Sequence, residues 1–120
     1  MADVVALIDD LFFQAKVLET AKKIGVSVKM VTTPDALLSA SQQDAPALIV
    51  VDLNARSGGI AAVERLRAAG NLRPVVAFLS HVQVDLAERA KAAGCEVMSR
   101  SRFTQDLAGI LGRAKQSQGQ

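Results

Sequence analysis

Five short apolar runs rich in β-branched residues alternate with five stretches of helical spacing along this chain. The alternation is typical of βα units, in which parallel strands form a sheet and helices cover its faces. It predicts an α/β fold with a doubly wound five-stranded parallel sheet. The third run, as far as Val51, and the fourth run are apolar throughout, so we expect two central strands covered on both faces. The predicted strands are Val4 to Ile8, Val26 to Val31, Ala47 to Leu53, Pro74 to Leu79 and Glu96 to Ser99.

The stretches between the strands carry signals for where helices begin and end. Thr33 before Pro34 supplies an N-cap and a proline in the first helical turn. Gly25, Gly70 and Gly94 stand where three helices should stop, each in a left-handed conformation that glycine adopts without strain. The predicted helices are Phe12 to Ile24, Pro34 to Gln42, Gly59 to Ala69, Gln83 to Ala93 and Thr104 to Lys115.

Length and composition limit the class of protein. The 120 residues, half of them hydrophobic, suffice for one buried core and not for two domains. No apolar stretch is long enough to span a bilayer, and Asp3 stands where a secretory signal would need basic and then apolar residues, so we expect a cytoplasmic protein with no membrane partner. The net charge of +2 and the absence of Trp and Tyr disfavour a nucleic-acid partner. The single cysteine, Cys95, is expected to be a small buried core residue.

Polar residues follow the predicted strands at the point where each strand ends. Open parallel sheets bind ligands in the crevice beyond the carboxyl ends of their strands. We therefore expect a site at this edge of the sheet. The residues concerned are Asp9 and Asp10 after the first strand, Asp52 and Asn54 after the third, Ser80 and His81 after the fourth, and Ser99 to Arg102 after the fifth.

Three carboxylates at neighbouring strand ends repel one another unless a cation or a raised pKa relieves them. Magnesium, with manganese as an alternative, suits Asp10 and Asp52 as ligands, with Asp9 acting through water. A competing interpretation is that Asp9 and Asp10 cap the first helix. Asp52 is also placed to attack a phosphoryl donor as a nucleophile. The Ser80 hydroxyl either hydrogen-bonds a phosphoryl oxygen or is only a turn residue.

From Val4 to Ala114 these residues and their order resemble the receiver domain of two-component response regulators. The resemblance implies a flavodoxin-like (βα)5 fold with strand order 2-1-3-4-5, over residues 1–115, followed by a polar tail at 116–120. It implies that Asp9 and Asp10 are the acidic pair that holds magnesium together with Asp52 and the backbone carbonyl of Asn54. It further implies that Asp52 accepts a phosphoryl group from a histidine kinase or a phosphotransfer protein. Ser80 matches the switch hydroxyl.

The chain departs from the family at the end of the fifth strand. Receiver domains carry a lysine there that pairs with the phosphoryl group, and an ungapped alignment on Gly94 and Phe103 puts Ser101 at that position. A shift of one residue would place Arg100 or Arg102 there, and either arginine is a candidate substitute, although its planar fork differs from a lysine ammonium. Met98 stands where many receivers have an aromatic switch residue, and a flexible side chain switches less sharply.

We consider three functions for a chain with these residues. The leading hypothesis is a stand-alone receiver that catalyses at most its own phosphorylation and signals by contact with another protein. The resemblance places that contact at about Gln83 to Lys115, where homodimerisation is a further option. The alternative is a phosphorylation-independent pseudo-receiver that acts as an interaction module. A metal-dependent phosphate-ester hydrolase is disfavoured, because it would need a second catalytic Asp where Asn54 stands.

Overall fold

The computed structural model describes residues 1–80 and 83–118 of the chain. Five parallel strands form one sheet in the order β2-β1-β3-β4-β5. The predicted doubly wound sheet and its strand order are therefore confirmed. The pairs Leu7 with Val51 and Val51 with Ala77 fix the register of the three central strands. The strands are β1 (Val4–Leu7), β2 (Val28–Val31), β3 (Leu48–Asp52), β4 (Val75–Leu79) and β5 (Glu96–Ser99).

Four of the five predicted helices begin and end within two residues of their predicted bounds. The Thr33 hydroxyl accepts the N–H of Ala36 as an N-cap, and Gly25, Gly70 and Gly94 all have the left-handed φ that was expected. The predicted N-cap at Thr33 and the predicted left-handed glycines are therefore confirmed. The helices are α1 (Leu11–Ile24), α2 (Pro34–Asp44), α3 (Gly59–Ala68), α4 (Val84–Ala92), α5 (Arg100–Gln105) and α6 (Leu107–Gln118).

Alternate side chains of the strands pack into two separate apolar layers, one on each face of the sheet. On one face Val5, Leu7 and Val51 pack with residues of α2, α3 and α4. On the other face Val50 and Phe78 pack with residues of α1, α5 and α6. Every residue of β1, β3 and β4 is buried, which confirms the two-sided covering predicted for the third and fourth strands.

The prediction of one helix from Thr104 to Lys115 is wrong. The chain turns helical already at Arg100, because the Ser99 hydroxyl accepts the N–H of Arg102 and caps a short helix. This helix ends at Gln105 with Asp106 as its C-cap, and α6 follows it. Residues 100–102, predicted as a polar strand end, are therefore the first turn of α5. At its other end α6 runs to Gln118, three residues into the predicted tail.

Two smaller expectations concern single features of the chain. Cys95 is buried as expected, and burial raises the pKa of its thiol. Among the helices within residues 1–80 and 83–118, none is long and apolar enough to cross a membrane.

Gly59 fixes the distance between the end of β3 and the start of α3. A Cβ at this position would clash with the carbonyl oxygen of Asp52 and would lie 2.9 Å from the Cα of Leu53. Gly59→Ala should therefore lower the free energy of unfolding by about 1–3 kcal/mol, the usual cost of overpacking, measured by urea denaturation. Gly109→Ala in α6 is the matched control, since a Cβ there meets nothing within 4 Å and alanine favours the helix. Equal stabilities of the Gly59 variant and the unmodified protein would contradict this account.

Candidate functional site

A cavity of about 630 Å³ opens at the carboxyl ends of β1, β3 and β4. It contains six of the residues that the sequence marked as candidates, together with residues that the sequence did not mark. The structure therefore brings most of the predicted site together at one edge of the sheet. The lining residues are Asp9, Asp10, Leu11, Phe12, Asp52, Asn54, Arg56, Ser80 and Arg100.

Asp52 is the last residue of β3 and is only 3% exposed. One of its carboxylate oxygens, Oδ1, accepts the backbone N–H of Asn54 at 2.8 Å. Burial raises the pKa of this carboxyl group, and the Asn54 N–H and the charge of Arg100 oppose that rise only in part. The side chain is thus held at the cavity by the buried strand that carries it, and its charged form is poorly solvated.

Asp10 has two partners that occupy its two carboxylate oxygens. Oδ1 accepts the N–H of Phe13 at 3.1 Å, so Asp10 is the N-cap of α1, and Oδ2 pairs with the Arg100 guanidinium at 3.0 Å. The hydrogen bond from Arg100, followed by that from Phe13, lowers the pKa of Asp10. Helix capping, one of the two interpretations of this residue, is therefore confirmed for Asp10. Asp9 instead accepts the backbone N–H of Arg56 at 2.7 Å.

Arg100 is held at the cavity by an aromatic side chain as well as by Asp10. Its guanidinium carbon lies 4.3 Å from the centroid of the Phe13 ring, a cation–π geometry worth about 0.5–1 kcal/mol at a partly exposed site. Phe13 is itself buried and packs edge-on against Phe78 and at a tilt against Phe103. The three rings thus form a rigid platform beneath the guanidinium.

Asn54 connects the cavity to the next strand and helix. Its side-chain oxygen accepts the N–H of Ser80 at 2.6 Å, and its side-chain amide donates to Gln83 Oε1 at 2.6 Å. Gln83 stands at the N-cap position of α4, where its side chain makes no capping hydrogen bond. The sequence had marked Asn54 only for its backbone carbonyl, so this use of its side chain was missed, and Gln83 with it.

Other candidates lie outside the cavity. Ser101 is exposed in the first turn of α5, and Arg102 faces Asp106 at 3.5 Å with a side chain that is 71% exposed. Met98 packs at the edge of the apolar layer that contains Phe78. Of the two arginines considered as lysine substitutes, the structure thus places Arg100 in the cavity. His81, one of the polar residues after the fourth predicted strand, lies outside the described residues.

Arg56 and Phe13 are further residues of this region that the sequence analysis did not mark. Arg56 stands in a loop with no strand or helix periodicity, so no sequence pattern indicated it. Phe13 could have been found, because it stands three residues after Asp10, at the position whose N–H a capping aspartate binds.

The magnesium ion expected from the sequence would have to bind beside the positive charge of Arg100. The donor set has the right chemistry, since hard divalent cations prefer oxygen ligands. However, both oxygens of Asp10 are engaged by Phe13 and Arg100, and in the part of the chain that the structure describes no three His, Cys, Asp or Glu side chains form a group that could hold a metal ion. In this arrangement the residues do not fit the ion, and the magnesium site stays a prediction.

Several solved structures of receiver domains have the same fold as this chain. The signal receiver domain of a protein described as a Luxo repressor from Vibrio parahaemolyticus is 20% identical, with a TM-score of 0.76 over 98% of this chain and 95% of that one. The receiver domain of the Francisella response regulator 1452 is 13% identical, with a TM-score of 0.82 over 98% and 99% of the two chains. The chemotaxis response regulator CheY4 of Vibrio cholerae is 20% identical, with a TM-score of 0.79 over 95% and 98%.

Sequence comparison adds nothing to this likeness, since no protein-family model and no curated protein sequence matches the chain. Identities of 13–20% show a shared fold. This chain therefore has the fold of response-regulator receiver domains.

Proposed function

We propose that this chain is a receiver module that accepts a phosphoryl group on Asp52. The observation that carries the proposal is the position of this carboxylate, buried at the end of the central strand and open to a cavity that also contains Arg100 and Ser80. A poorly solvated carboxylate near a fixed cation and a hydroxyl has the components of a phosphoryl-acceptor site. The proposed donor is a histidine kinase or a phosphotransfer protein, as the resemblance to receiver domains implies.

The transfer forms one bond and breaks another at the phosphorus atom. A carboxylate oxygen of Asp52 attacks the phosphorus, and the bond from phosphorus to the donor's leaving atom breaks as that atom takes the electron pair. Arg100 supplies positive charge near the phosphoryl oxygens, and Ser80 supplies a hydroxyl donor on the side of β4. Leu11 and Phe12, 76% and 91% exposed at the rim, offer an apolar contact to a donor protein.

The output surface in this proposal is the α4–β5 side of the domain, within the predicted range from Gln83 to Lys115. A mainly apolar groove of about 370 Å³ lies there between α4 and β5, and Val84 at its edge is 64% exposed. Ser80 and Gln83 line this groove, and Ser80 also lines the acidic cavity. A downstream protein that binds the groove would therefore contact residues bonded to Asn54, next to the phosphoryl acceptor.

A second candidate function is the phosphorylation-independent interaction module. The pairing of Asp10 with Arg100 favours it, because the acidic cavity is already partly neutralised by a side chain of the protein itself. Met98 in place of an aromatic switch residue points the same way. The two candidates differ in whether Asp52 reacts.

Incubation with acetyl phosphate and magnesium should add one phosphoryl group to the protein, detected by intact mass. Asp52→Asn should abolish the increment, because an amide oxygen is too weak a nucleophile to attack phosphorus. Asp35→Asn is the matched control, since Asp35 is an exposed aspartate of α2 that pairs with Arg65, away from the cavity. That variant should be modified like the unchanged protein.

Two outcomes would contradict the phosphoryl-acceptor proposal. One is the absence of any increment in the folded protein, which would leave the interaction module as the function. The other is an increment that persists in the Asp52→Asn variant, which would place the modification on another side chain.

The raised pKa of Asp52 makes the stability of the protein depend on pH. Because the folded protein binds this proton more strongly than the unfolded chain, whose carboxyl group titrates near 3.8, the free energy of unfolding contributed by Asp52 falls as the pH rises from 3.8 through the folded pKa. Asp52→Asn should therefore be more stable than the unmodified protein at neutral pH. Its amide oxygen can still accept the Asn54 N–H. The gain should shrink as the pH falls towards 3.8.

Urea denaturation of both proteins in EDTA, from neutral to acid pH, measures this difference without bound cations. Asp35→Asn should show no gain at any pH, because its side chain is 85% exposed and has no burial to relieve. A gain of equal size at neutral and acid pH would mean that the substitution acts through something other than charge.

A further inference from the structure

The guanidinium of Arg100 occupies the acidic cavity in the manner of a bound cation. It pairs with Asp10 Oδ2 at 3.0 Å, and both side chains are only about a third exposed, at 32% and 39%. A pair of this kind is less screened by solvent than one on an open surface. The charge of Arg100 also acts on Asp52, where it opposes the effect of burial. One side chain thus acts on two of the three carboxylates of the cavity.

The position of Arg100 is fixed by the Phe13 ring as well as by Asp10. Its guanidinium carbon lies 4.3 Å above the Phe13 ring, which packs at 5.3 Å from Phe78 and 5.9 Å from Phe103 between ring centroids. Ser99 caps the helix that Arg100 begins, so the backbone is held too. An arginine with so few alternative positions loses little conformational entropy when it pairs with Asp10.

A divalent cation at the same carboxylates would need oxygens that are now occupied. Asp10 gives one oxygen to Phe13 and the other to Arg100, Asp9 gives one to Arg56, and Asp52 gives one to Asn54. The bonds to backbone N–H groups leave each carboxylate a second oxygen, but at Asp10 that second oxygen is the one that Arg100 holds. A cation that binds Asp10 therefore competes with Arg100 for the same oxygen and is repelled by the guanidinium charge beside it.

We propose that Arg100 is a tethered counter-ion that competes with divalent cations for Asp10, so that this cavity is neutralised by the protein's own side chain instead of by bound magnesium. The inference concerns the cavity of the proposed function and states how that cavity is regulated. Its test contains no phosphoryl donor, so its failure and the failure of phosphorylation at Asp52 are distinguishable.

The test is the binding of Mn²⁺ to the full chain, measured by the electron paramagnetic resonance signal of the free ion, with Mg²⁺ followed by calorimetry. Arg100→Gln should bind Mn²⁺ at least about tenfold more tightly than the unmodified protein, since it removes a positive charge beside the carboxylates. Arg102→Gln is the matched control, because Arg102 lies outside the cavity and pairs with Asp106. It should bind Mn²⁺ like the unmodified protein. Equal or weaker binding by folded Arg100→Gln would overturn the proposal.

Two further variants keep the test decisive. Arg100→Lys retains the charge without the planar group that stacks on Phe13, so it should bind Mn²⁺ more tightly than the unmodified protein and less tightly than Arg100→Gln. If Arg100→Gln does not fold, tighter binding by the lysine variant supports the proposal and unchanged binding overturns it. Adding Asp10→Asn to Arg100→Gln should remove the gain, and a gain that survives would place the ion away from Asp10.

Discussion

The burial of β3 on both faces is the constraint from which the rest of the site follows. Each residue of this strand is at most 3% exposed, and β1 and β4 fix its register from the two sides. Asp52 is the last residue of the strand, so its carboxylate lies at the edge of the sheet regardless of the conformation of the following loop. The apolar packing of the core therefore offsets the free-energy cost of keeping the Asp52 carboxylate poorly solvated. Gly59 lets α3 begin directly against the carbonyl oxygen of Asp52.

The surroundings of Asp10 and Asp52 shift their pKa values in opposite directions. Arg100 and the N–H of Phe13 lower the pKa of Asp10, while burial raises that of Asp52. Two carboxylates close in space thereby acquire different roles, one as a charged cap and ion-pair partner and one as a poorly solvated group at the cavity. Such a division is typical of sites that carry out chemistry, although ion pairs that serve structure alone also shift pKa values.

The sequence predicted the strands of the sheet and most helix ends because those depend on short-range patterns, whereas the strand order followed from the resemblance to receiver domains. Alternating apolar runs, a Thr-Pro start at Thr33 and three terminal glycines are each readable within a few residues. The contact of Arg100 with Asp10 spans 90 positions and depends on α1 and α5 meeting on one face of the sheet, where Phe13 packs against Phe103. Assigning residues to the ends of strands could not reveal the contact of Arg100 with Asp10, since β1 and β5 are separated by two strands. The helical turn at residues 100–102 was missed because Ser99 had been read only as part of a strand.

The hydrogen bonds around Asn54 connect the cavity to the adjoining α4–β5 groove. Asn54 donates its backbone N–H to Asp52 and its side-chain amide to Gln83, so two hydrogen bonds separate the buried carboxylate from the start of α4. The same side chain also holds the N–H of Ser80 at the end of β4. Asn54 is thus the one residue through which Asp52, Ser80 and Gln83 are linked by these hydrogen bonds. This fold, with Met98 where many receiver domains have an aromatic residue, thus has a polar connection from its acidic edge to its apolar groove. The connection runs through Asn54, whose backbone N–H makes one hydrogen bond and whose side-chain amide makes two.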